Sequence, residues 1–201
     1  MTDSSIDQLK LWDSEHVWHA FTQMANYEPL VIDSASGCVL TDMQGNTYID
    51  AVSSLWCNVH GHQHPVINAA IRKQLDQVAH VTSLGMSNPT TIQLAKRLVD
   101  ITPAGLNHAF FTNSGSEAND TVVRMARHYW ASLGQPDKQV IISRKNAYHG
   151  STMAGASLGG MPTMHAQGGL PIPDITHIGQ PYWYQDGGSD SPDQHGLKVA
   201  Q

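Results

Sequence analysis

Residues 109–120, AFFTNSGSEAND, are the stretch that decides the fold. Its apolar start, 109–112, predicts a short β-strand, and the polar residues after it open a long helix. Ser114 and Glu117 have the spacing of a capping box, in which the Ser114 hydroxyl accepts from the Glu117 amide and the Glu117 carboxylate accepts from the Ser114 amide. A strand that leads directly into a capped helix is typical of an α/β fold.

The start of this helix also predicts a site for a phosphate-like anion. The amides of residues 115–118 have no acceptor within the helix, Gly115 lets a ligand approach the backbone, and the Ser116 hydroxyl adds a donor. The positive end of the helix dipole favours negative charge at the same place. On spacing alone an ordinary capped helix is the commoner explanation, because capping boxes are frequent, so both interpretations stay open here.

A second candidate loop follows the next strand. The β-branched run Val140–Ile142 predicts a strand buried on both faces, and residues 146–152, NAYHGST, come soon after it. In open α/β sheets ligands bind beyond the carboxyl ends of the strands, so we expect the two loops to face each other there. Tyr148 is then placed to stack on a planar ligand, although a packed loop turned by Gly150 explains the same residues.

The remaining patterns predict elements on both sides of these loops. They are a hairpin (39–42 and 47–50), helices from Pro65 and from Pro89, and a last helix opened by Ser191 and Pro192 shortly before Gln201. Alternating strands and helices indicate an α/β fold with a mainly parallel sheet flanked by helices. A small N-terminal α+β segment precedes that sheet.

Composition excludes several classes of protein. The 201 residues carry a formal charge of −6, and no window clusters Lys and Arg, so we expect no nucleic-acid partner. No apolar run approaches the roughly 20 residues that a membrane span needs, and the polar start, Met1–Asp7, has no apolar signal region. Cys38 and Cys57 form no metal or disulfide pattern. These features predict a cytoplasmic protein without a membrane partner.

Two other chemistries fit the sequence poorly. His60, His62 and His64 alternate as in some metal sites, but no acidic residue or cysteine at ligand spacing completes the set, so we expect no metal. Hydrolysis by a Ser/His/Asp triad is disfavoured because residues 114–116, SGS, lack the Gly-x-Ser-x-Gly elbow.

Two motifs together resemble a known family. Residues 110–121, FFTNSGSEANDT, and residues 148–152, YHGST, are similar in sequence and separation to motifs of the class III aminotransferases, pyridoxal-phosphate enzymes of fold type I. The flanking segments 42–50 and 54–57 also match, so the resemblance covers most of residues 12–185. It implies a small-domain part at 1–64, an incomplete large cofactor-binding domain at 65–201, and a homodimer in the full-length form.

The resemblance assigns roles to individual residues. The expected cofactor-binding residues are Ser114, Gly115, Ser116, Tyr148, His149 and Gly150, with the phosphate at 115–116 and the pyridine ring on the tyrosine. The expected pocket for the amino substrate contains Phe21, Leu55 and Trp56. None of the six lysines lies in the family's Schiff-base context, so no catalytic residue is assigned. That lysine and the aspartate at the pyridinium nitrogen are expected downstream in the family.

The amino donor and the keto-acid acceptor are less clearly indicated. Segments 52–62 and 79–85 resemble the diaminopelargonate aminotransferases of biotin synthesis, whereas the chain from residue 112 resembles ω-amino acid and amine:pyruvate aminotransferases. The biotin enzymes typically carry tyrosine in place of Phe21, an extra aromatic in place of Leu55 and aspartate in place of Ser151. The more apolar pocket favours the ω-aminotransferase interpretation.

The end of the chain leads to two expectations. The unfinished helix and the missing lysine predict the N-terminal portion of a ω-aminotransferase, inactive on its own. The second hypothesis is a non-catalytic module that keeps the phosphate-binding loop and binds pyridoxal phosphate alone. Unpaired strands in a truncated sheet argue against that module.

Overall fold

The computed structural model describes residues 4–201, so the first three residues of the predicted polar start lie outside the description. Contacts divide the chain into two compact units, one up to Ile92 and one from Gln93. The division falls within a helix, Pro89–Ile101. The boundary that the resemblance implies, between residues 64 and 65, stays a prediction.

The first unit combines helices with a small antiparallel sheet. Its elements are α1 (Ile6–His16), a 3₁₀ turn (Met24–Asn26), β1 (Ile32–Ser36), β2 (Val39–Asp42), β3 (Thr47–Ile49), α2 (Ser53–Trp56), α3 (Pro65–Gln77) and the start of α4 (Pro89–Ile101). The strand order is β1-β2-β3, so the predicted hairpin of β2 and β3 is confirmed. Strand β1 was not predicted.

Asp42 holds the loop of this hairpin. Its carboxylate accepts hydrogen bonds from the Gln44 amide at 2.9 Å, the Asn46 amide at 2.8 Å and the Tyr48 hydroxyl at 2.8 Å. Burial by itself raises the pKa of this carboxyl, but the donated hydrogen bonds outweigh it and hold the pKa below its ordinary value. The buried groups of the first unit, among residues 4–92, are Asp42 and Asp50.

Helices α3 and α4 begin at the predicted prolines. At the start of α4 the Asn88 side chain accepts from the Thr91 amide at 3.0 Å, which confirms the expected cap. The apolar stripe of α3 is not covered by residues 4–201, since the helix has no buried residue and Val66 is 70% exposed. Helix α4 has no buried residue either, but Leu98 and Val99 of its stripe are partly covered.

The second unit contains a parallel strand pair and the longest helix. Its elements after α4 are α5 (Gly115–Ser132), β4 (Ile141–Arg144), α6 (Met153–Leu158), α7 (Pro162–His165), β5 (Ile175–Ile178), α8 (Trp183–Asp186) and α9 (Pro192–Ala200). Strands β4 and β5 are parallel, with Ile141 opposite Ile175. Val123, Leu158 and Ile175 form the buried core between α5, α6 and β5. The expected α/β architecture is confirmed for this part of the fold.

Two strand predictions need correction. Residues 109–112 form no strand, because a strand exists only with a hydrogen-bonded neighbour and residues 4–201 provide none; Phe110 is 75% exposed. Strand β4 forms as predicted, but Ile142 is 64% exposed, so one face of that strand is not buried.

The last helix begins as predicted. The Ser191 hydroxyl accepts from the Gln194 amide at 3.2 Å, and the Ser191 amide donates to the Gln194 side chain at 2.9 Å. This reciprocal pair is a capping box, and Pro192 occupies the first turn. In the described part of the chain, residues 4–201, no helix combines the length and apolar character needed to cross a membrane.

Candidate functional site

The start of α5 and the loop after β4 face each other across a cavity of about 380 Å³. The residues that line it are Ser114, Gly115, Ser116, Asn119, Tyr148, His149 and Gly150. The structure therefore brings together all six residues that the sequence suggested for cofactor binding. It adds Asn119, which the sequence analysis missed.

The helix start has only half of the predicted capping box. The Ser114 hydroxyl accepts from the Glu117 amide at 3.2 Å, as expected. The Glu117 carboxylate, however, accepts from the Asn113 amide at 2.8 Å instead of the Ser114 amide. The backbone at Ser114 is extended, with φ −153°, whereas φ is −67° at Ser191, where the reciprocal box does form. Because the backbone enters α5 with a different angle at Ser114, the Glu117 carboxylate reaches the amide of Asn113, one residue before the cap.

Two backbone amides at this helix start remain available to a ligand. Gly115 and Ser116 occupy the first turn of α5, where amides have no helical acceptor, and within residues 4–201 neither amide donates to another protein group. Both residues line the cavity, and the Ser116 hydroxyl lies beside them. Amide and hydroxyl donors at a positive helix end are suited to a phosphate group.

Gly150 brings the second loop against this helix start. Its φ is +121°, and a Cβ at this position would lie 2.4 Å from Ser116 Oγ and 2.8 Å from Ser116 Cα. Neither the backbone conformation nor the space admits a side chain. The next residue, Ser151, donates its amide to Ser116 Oγ at 3.1 Å. The Ser116 hydroxyl is therefore held in place between the helix and the loop.

Side chains from the next positions of α5 fix the rest of the loop. Asn119 Nδ2 donates to the His149 carbonyl at 2.7 Å. Asp120 Oδ1 accepts from the Thr152 hydroxyl at 2.7 Å and from the Gly155 amide at 3.2 Å. Helical spacing was the signal for both residues, since positions 119 and 120 lie one turn beyond 115 and 116 on the same face. Tyr148 is 54% exposed at the edge of the cavity.

The three residues suggested for the substrate pocket lie in the first unit. Phe21, Leu55 and Trp56 are 79%, 67% and 74% exposed, and they are not among the residues that line the cavity at α5. Their contribution to a substrate pocket stays a prediction.

Leu55 and Trp56 belong to a backbone turn of unusual hand. The residues of α2, Ser53–Trp56, have φ values of +51°, +47°, +63° and +69°, so the turn is left-handed. Left-handed backbone costs roughly 1–2 kcal/mol for each residue that is not glycine. Strain of this size persists only where the surroundings fix it, and such segments concentrate at functional sites.

Asp50 is the group that fixes this turn. Its carboxylate accepts from the Ser54 amide, the Ser54 hydroxyl and His62 Nε2, each at 2.8 Å. The amide hydrogen bond from Ser54, followed by the one from His62, holds the pKa of Asp50 below its ordinary value. His62 is thus hydrogen-bonded to a buried carboxylate, and the described residues 4–201 contain no group of three His, Cys, Asp or Glu side chains able to hold a metal ion.

Comparison with known proteins identifies the family. Residues 22–200 match the family described as Aminotransferase class-III. The chain is 49% identical over 172 residues to the putrescine–pyruvate aminotransferase of Pseudomonas aeruginosa, covering 85% of this chain and 38% of that protein. It is also 49% identical over 160 residues to the adenosylmethionine-8-amino-7-oxononanoate aminotransferase of Aquifex aeolicus, covering 78% of this chain and 35% of that protein.

Solved structures show the same fold. The thermostable (S)-enantioselective omega-transaminase from Thermomicrobium roseum superposes with a TM-score of 0.91 at 33% identity, covering 98% of this chain and 45% of that chain. The omega transaminase from Pseudomonas jessenii in complex with PMP gives a TM-score of 0.91 at 34% identity, covering 98% of this chain and 44% of that chain. The chain thus spans less than half the length of these proteins.

The cavity at α5 fits the cofactor of this family. It offers the amides of Gly115 and Ser116 and the positioned Ser116 hydroxyl, and Gly150 lies so close to Ser116 that only glycine fits there. These donors suit the phosphate of pyridoxal 5'-phosphate. From sequence, structure and site together, the chain belongs to the class III aminotransferases, the pyridoxal-phosphate-dependent transaminases of fold type I.

Proposed function

We propose that the intact protein, meaning the complete translation product that includes residues 1–201, moves an amino group from an ω-amino acid or another amine to a keto acid such as pyruvate. The present chain supplies the anchor for the cofactor phosphate and part of the substrate pocket. The observation that carries this proposal is the cavity in which the first turn of α5 and the Gly150 loop lie together around the Ser116 hydroxyl.

Different residues of this cavity hold different parts of the cofactor. When bound, pyridoxal phosphate supplies the electron sink that lets a proton move at the amine carbon. The Gly115 and Ser116 amides and the Ser116 hydroxyl hold the phosphate, and Tyr148 orients the ring by stacking. Asn119 and Asp120 hold the loop against α5. Their side chains form hydrogen bonds to the His149 carbonyl, the Thr152 hydroxyl and the Gly155 amide.

Two relatives support two substrate pairs. Similarity to a putrescine–pyruvate aminotransferase favours an amine donor with pyruvate as acceptor. Equal identity to an adenosylmethionine-8-amino-7-oxononanoate aminotransferase makes that step of biotin synthesis the second candidate. Phe21 and Leu55 count against the second candidate, because the biotin enzymes typically carry tyrosine and a further aromatic residue at these positions.

Donor and acceptor assays on the intact protein separate the two candidates. We expect alanine to form from pyruvate when putrescine or another ω-amine is the donor. Turnover that requires S-adenosylmethionine as donor and 8-amino-7-oxononanoate as acceptor would establish the second candidate instead. No transfer with either pair, in protein saturated with pyridoxal phosphate, would contradict both.

Ser116→Ala tests the cofactor anchor directly. Loss of a hydrogen bond to a charged phosphate, worth about 1.5 kcal/mol, corresponds to an affinity for pyridoxal phosphate lower by about tenfold. Affinity for pyridoxal, which lacks the phosphate, should fall less, because only the contact of Ser116 with the loop is then lost. Ser132→Ala, an exposed serine at the other end of α5, is the matched control and should leave both affinities at the parental value.

We also propose that residues 1–201 are inactive on their own. The cavity lining contains no lysine, and the family's reaction needs a lysine amine to bind the cofactor and move the proton. Residues 1–201 should therefore form no alanine from pyruvate under conditions in which the intact protein does. Turnover by residues 1–201 alone would refute this part of the proposal.

A homodimer is the assembly that we propose for the intact protein. Large apolar side chains stand exposed in the first unit, among them Trp18 at 90% and Leu84 at 88%. Apolar side chains exposed to this extent are suited to contact with another protein surface. Light scattering during size exclusion should give twice the protomer mass, and a protomer mass at micromolar concentration would contradict the proposal.

A further inference from the structure

The left-handed turn α2 is held by side chains outside it. Asp50 precedes the turn and His62 follows it, and the two meet at 2.8 Å. Asp50 Oδ1 accepts the Ser54 amide and Oδ2 accepts the Ser54 hydroxyl, so both carboxylate oxygens contact the second residue of the turn. We call these contacts of Asp50, Ser54 and His62 the brace.

The brace is fixed in turn to the sheet of the first unit. The His62 amide donates to the Gly37 carbonyl at 2.8 Å, and the Gly37 amide donates to the His62 carbonyl at 3.1 Å. The Asp50 amide donates to the Cys38 carbonyl at 2.9 Å. Gly37 and Cys38 connect β1 to β2, so Asp50 and His62 are both attached to the turn between these two strands.

The turn needs such support because its own residues disfavour it. None of the four residues of α2 is glycine, yet all have positive φ. The Trp56 amide donates to the Val52 carbonyl at 2.7 Å and closes the turn, but this one bond does not offset left-handed backbone at four residues. The direction in which Leu55 and Trp56 leave the backbone therefore depends on the brace.

We propose that Asp50 and His62 are positioning residues for the amine substrate, acting through Ser54 on Trp56. This inference rests on the proposed function and on the expected place of Leu55 and Trp56 in the pocket for the amino substrate. Asp50 contacts the turn through Ser54, and His62 contacts Asp50, so both residues act through others. Their removal lets the turn relax and moves the indole away from the position that binds the amine.

Hydrogen exchange of the intact protein tests the brace without any assay of activity. His62→Ala should raise the exchange rate of a peptide covering residues 54–58 about tenfold, because the turn opens more often. His62→Gln keeps an amide donor near the Nε2 position and should stay within about twofold of the parent. His60→Ala, an exposed histidine two residues away, is the matched control. If His62→Ala does not fold, Ser54→Ala should show a smaller change in the same direction, and unchanged exchange in the folded variants would overturn the brace.

A double-mutant cycle tests the role in substrate binding. With pyruvate saturating, His62→Ala should raise KM for putrescine about fivefold while kcat and the affinity for pyridoxal phosphate stay within about twofold. In a Trp56→Ala background the same change should alter KM less than about twofold, because the residue it positions is gone. Fully additive effects would overturn the positioning role. Faster exchange in a protein that shows no transamination would overturn the proposed function and this role with it, while the brace itself would be supported.

Discussion

Gly150→Ala is the substitution that probes the phosphate cradle most directly. The added Cβ would lie 2.4 Å from Ser116 Oγ and 2.8 Å from both Cα and Cβ of Ser116. A hydroxyl can rotate away, but a Cα atom in the first turn of a helix cannot move without the helix. The loop must therefore retreat, and its hydrogen bond from the Ser151 amide to Ser116 Oγ, 3.1 Å in the structure, is lost.

The size of the effect follows from two separate costs. A residue other than glycine at φ +121° carries backbone strain of about 1–3 kcal/mol. Overpacking against a fixed neighbour adds about 1–3 kcal/mol. The lower sum, about 2 kcal/mol, shifts the equilibrium between the binding position and a retreated loop about 30-fold toward the retreated loop, and the higher sum shifts it further; the apparent affinity falls by up to these factors.

The assay is a titration of the intact protein with pyridoxal phosphate, followed by absorbance or fluorescence. We expect Gly150→Ala to weaken binding about tenfold or more. Gly196→Ala is the matched control, since Gly196 is exposed in α9, lacks a positive φ and has no atom within 4 Å of an added Cβ. An affinity of Gly150→Ala within about threefold of the parent would refute the argument that this close approach shapes the site.

Three further predictions concern the stability of the chain. The carboxyl of Asp42 has a lowered pKa, so its contribution to the free energy of unfolding is present above about pH 4, the ordinary unfolded value, and is lost as the pH falls through the folded value. Asp42→Asn should lower the thermal midpoint at pH 7 and make that midpoint decline less under acid. A pH profile equal to the parent's would contradict this. Thr152→Val removes the 2.7 Å hydrogen bond to Asp120 and the cap of α6, so the free energy of unfolding in urea should fall by about 1–3 kcal/mol. An unchanged urea midpoint would show that the bond does not stabilise the fold. Ser191→Ala should speed hydrogen exchange in residues 192–200 about fivefold, from loss of a cap worth about 1 kcal/mol, and equal rates in the two proteins would exclude a stabilising cap.

Local signals in the sequence predicted the elements that depend on neighbouring residues. Helix starts at Pro65, Pro89 and Pro192 were predictable because caps and first-turn prolines act within three or four positions. The strand expected at 109–112 failed for the opposite reason, since it needs a partner from elsewhere in the fold. The return contact of Glu117 was also missed, because the entry angle of the chain at Ser114 is not encoded in residue spacing.

The sequence by itself determined which residues could hold a phosphate and that the chain resembles an aminotransferase. Only the tertiary structure decided that Gly150 lies against Ser116 and that Asp50 joins His62 beneath a left-handed turn. The physical reason is distance along the chain. Hydrogen bonds between residues 12 or 35 positions apart depend on the path of all the backbone between them, which no local pattern specifies.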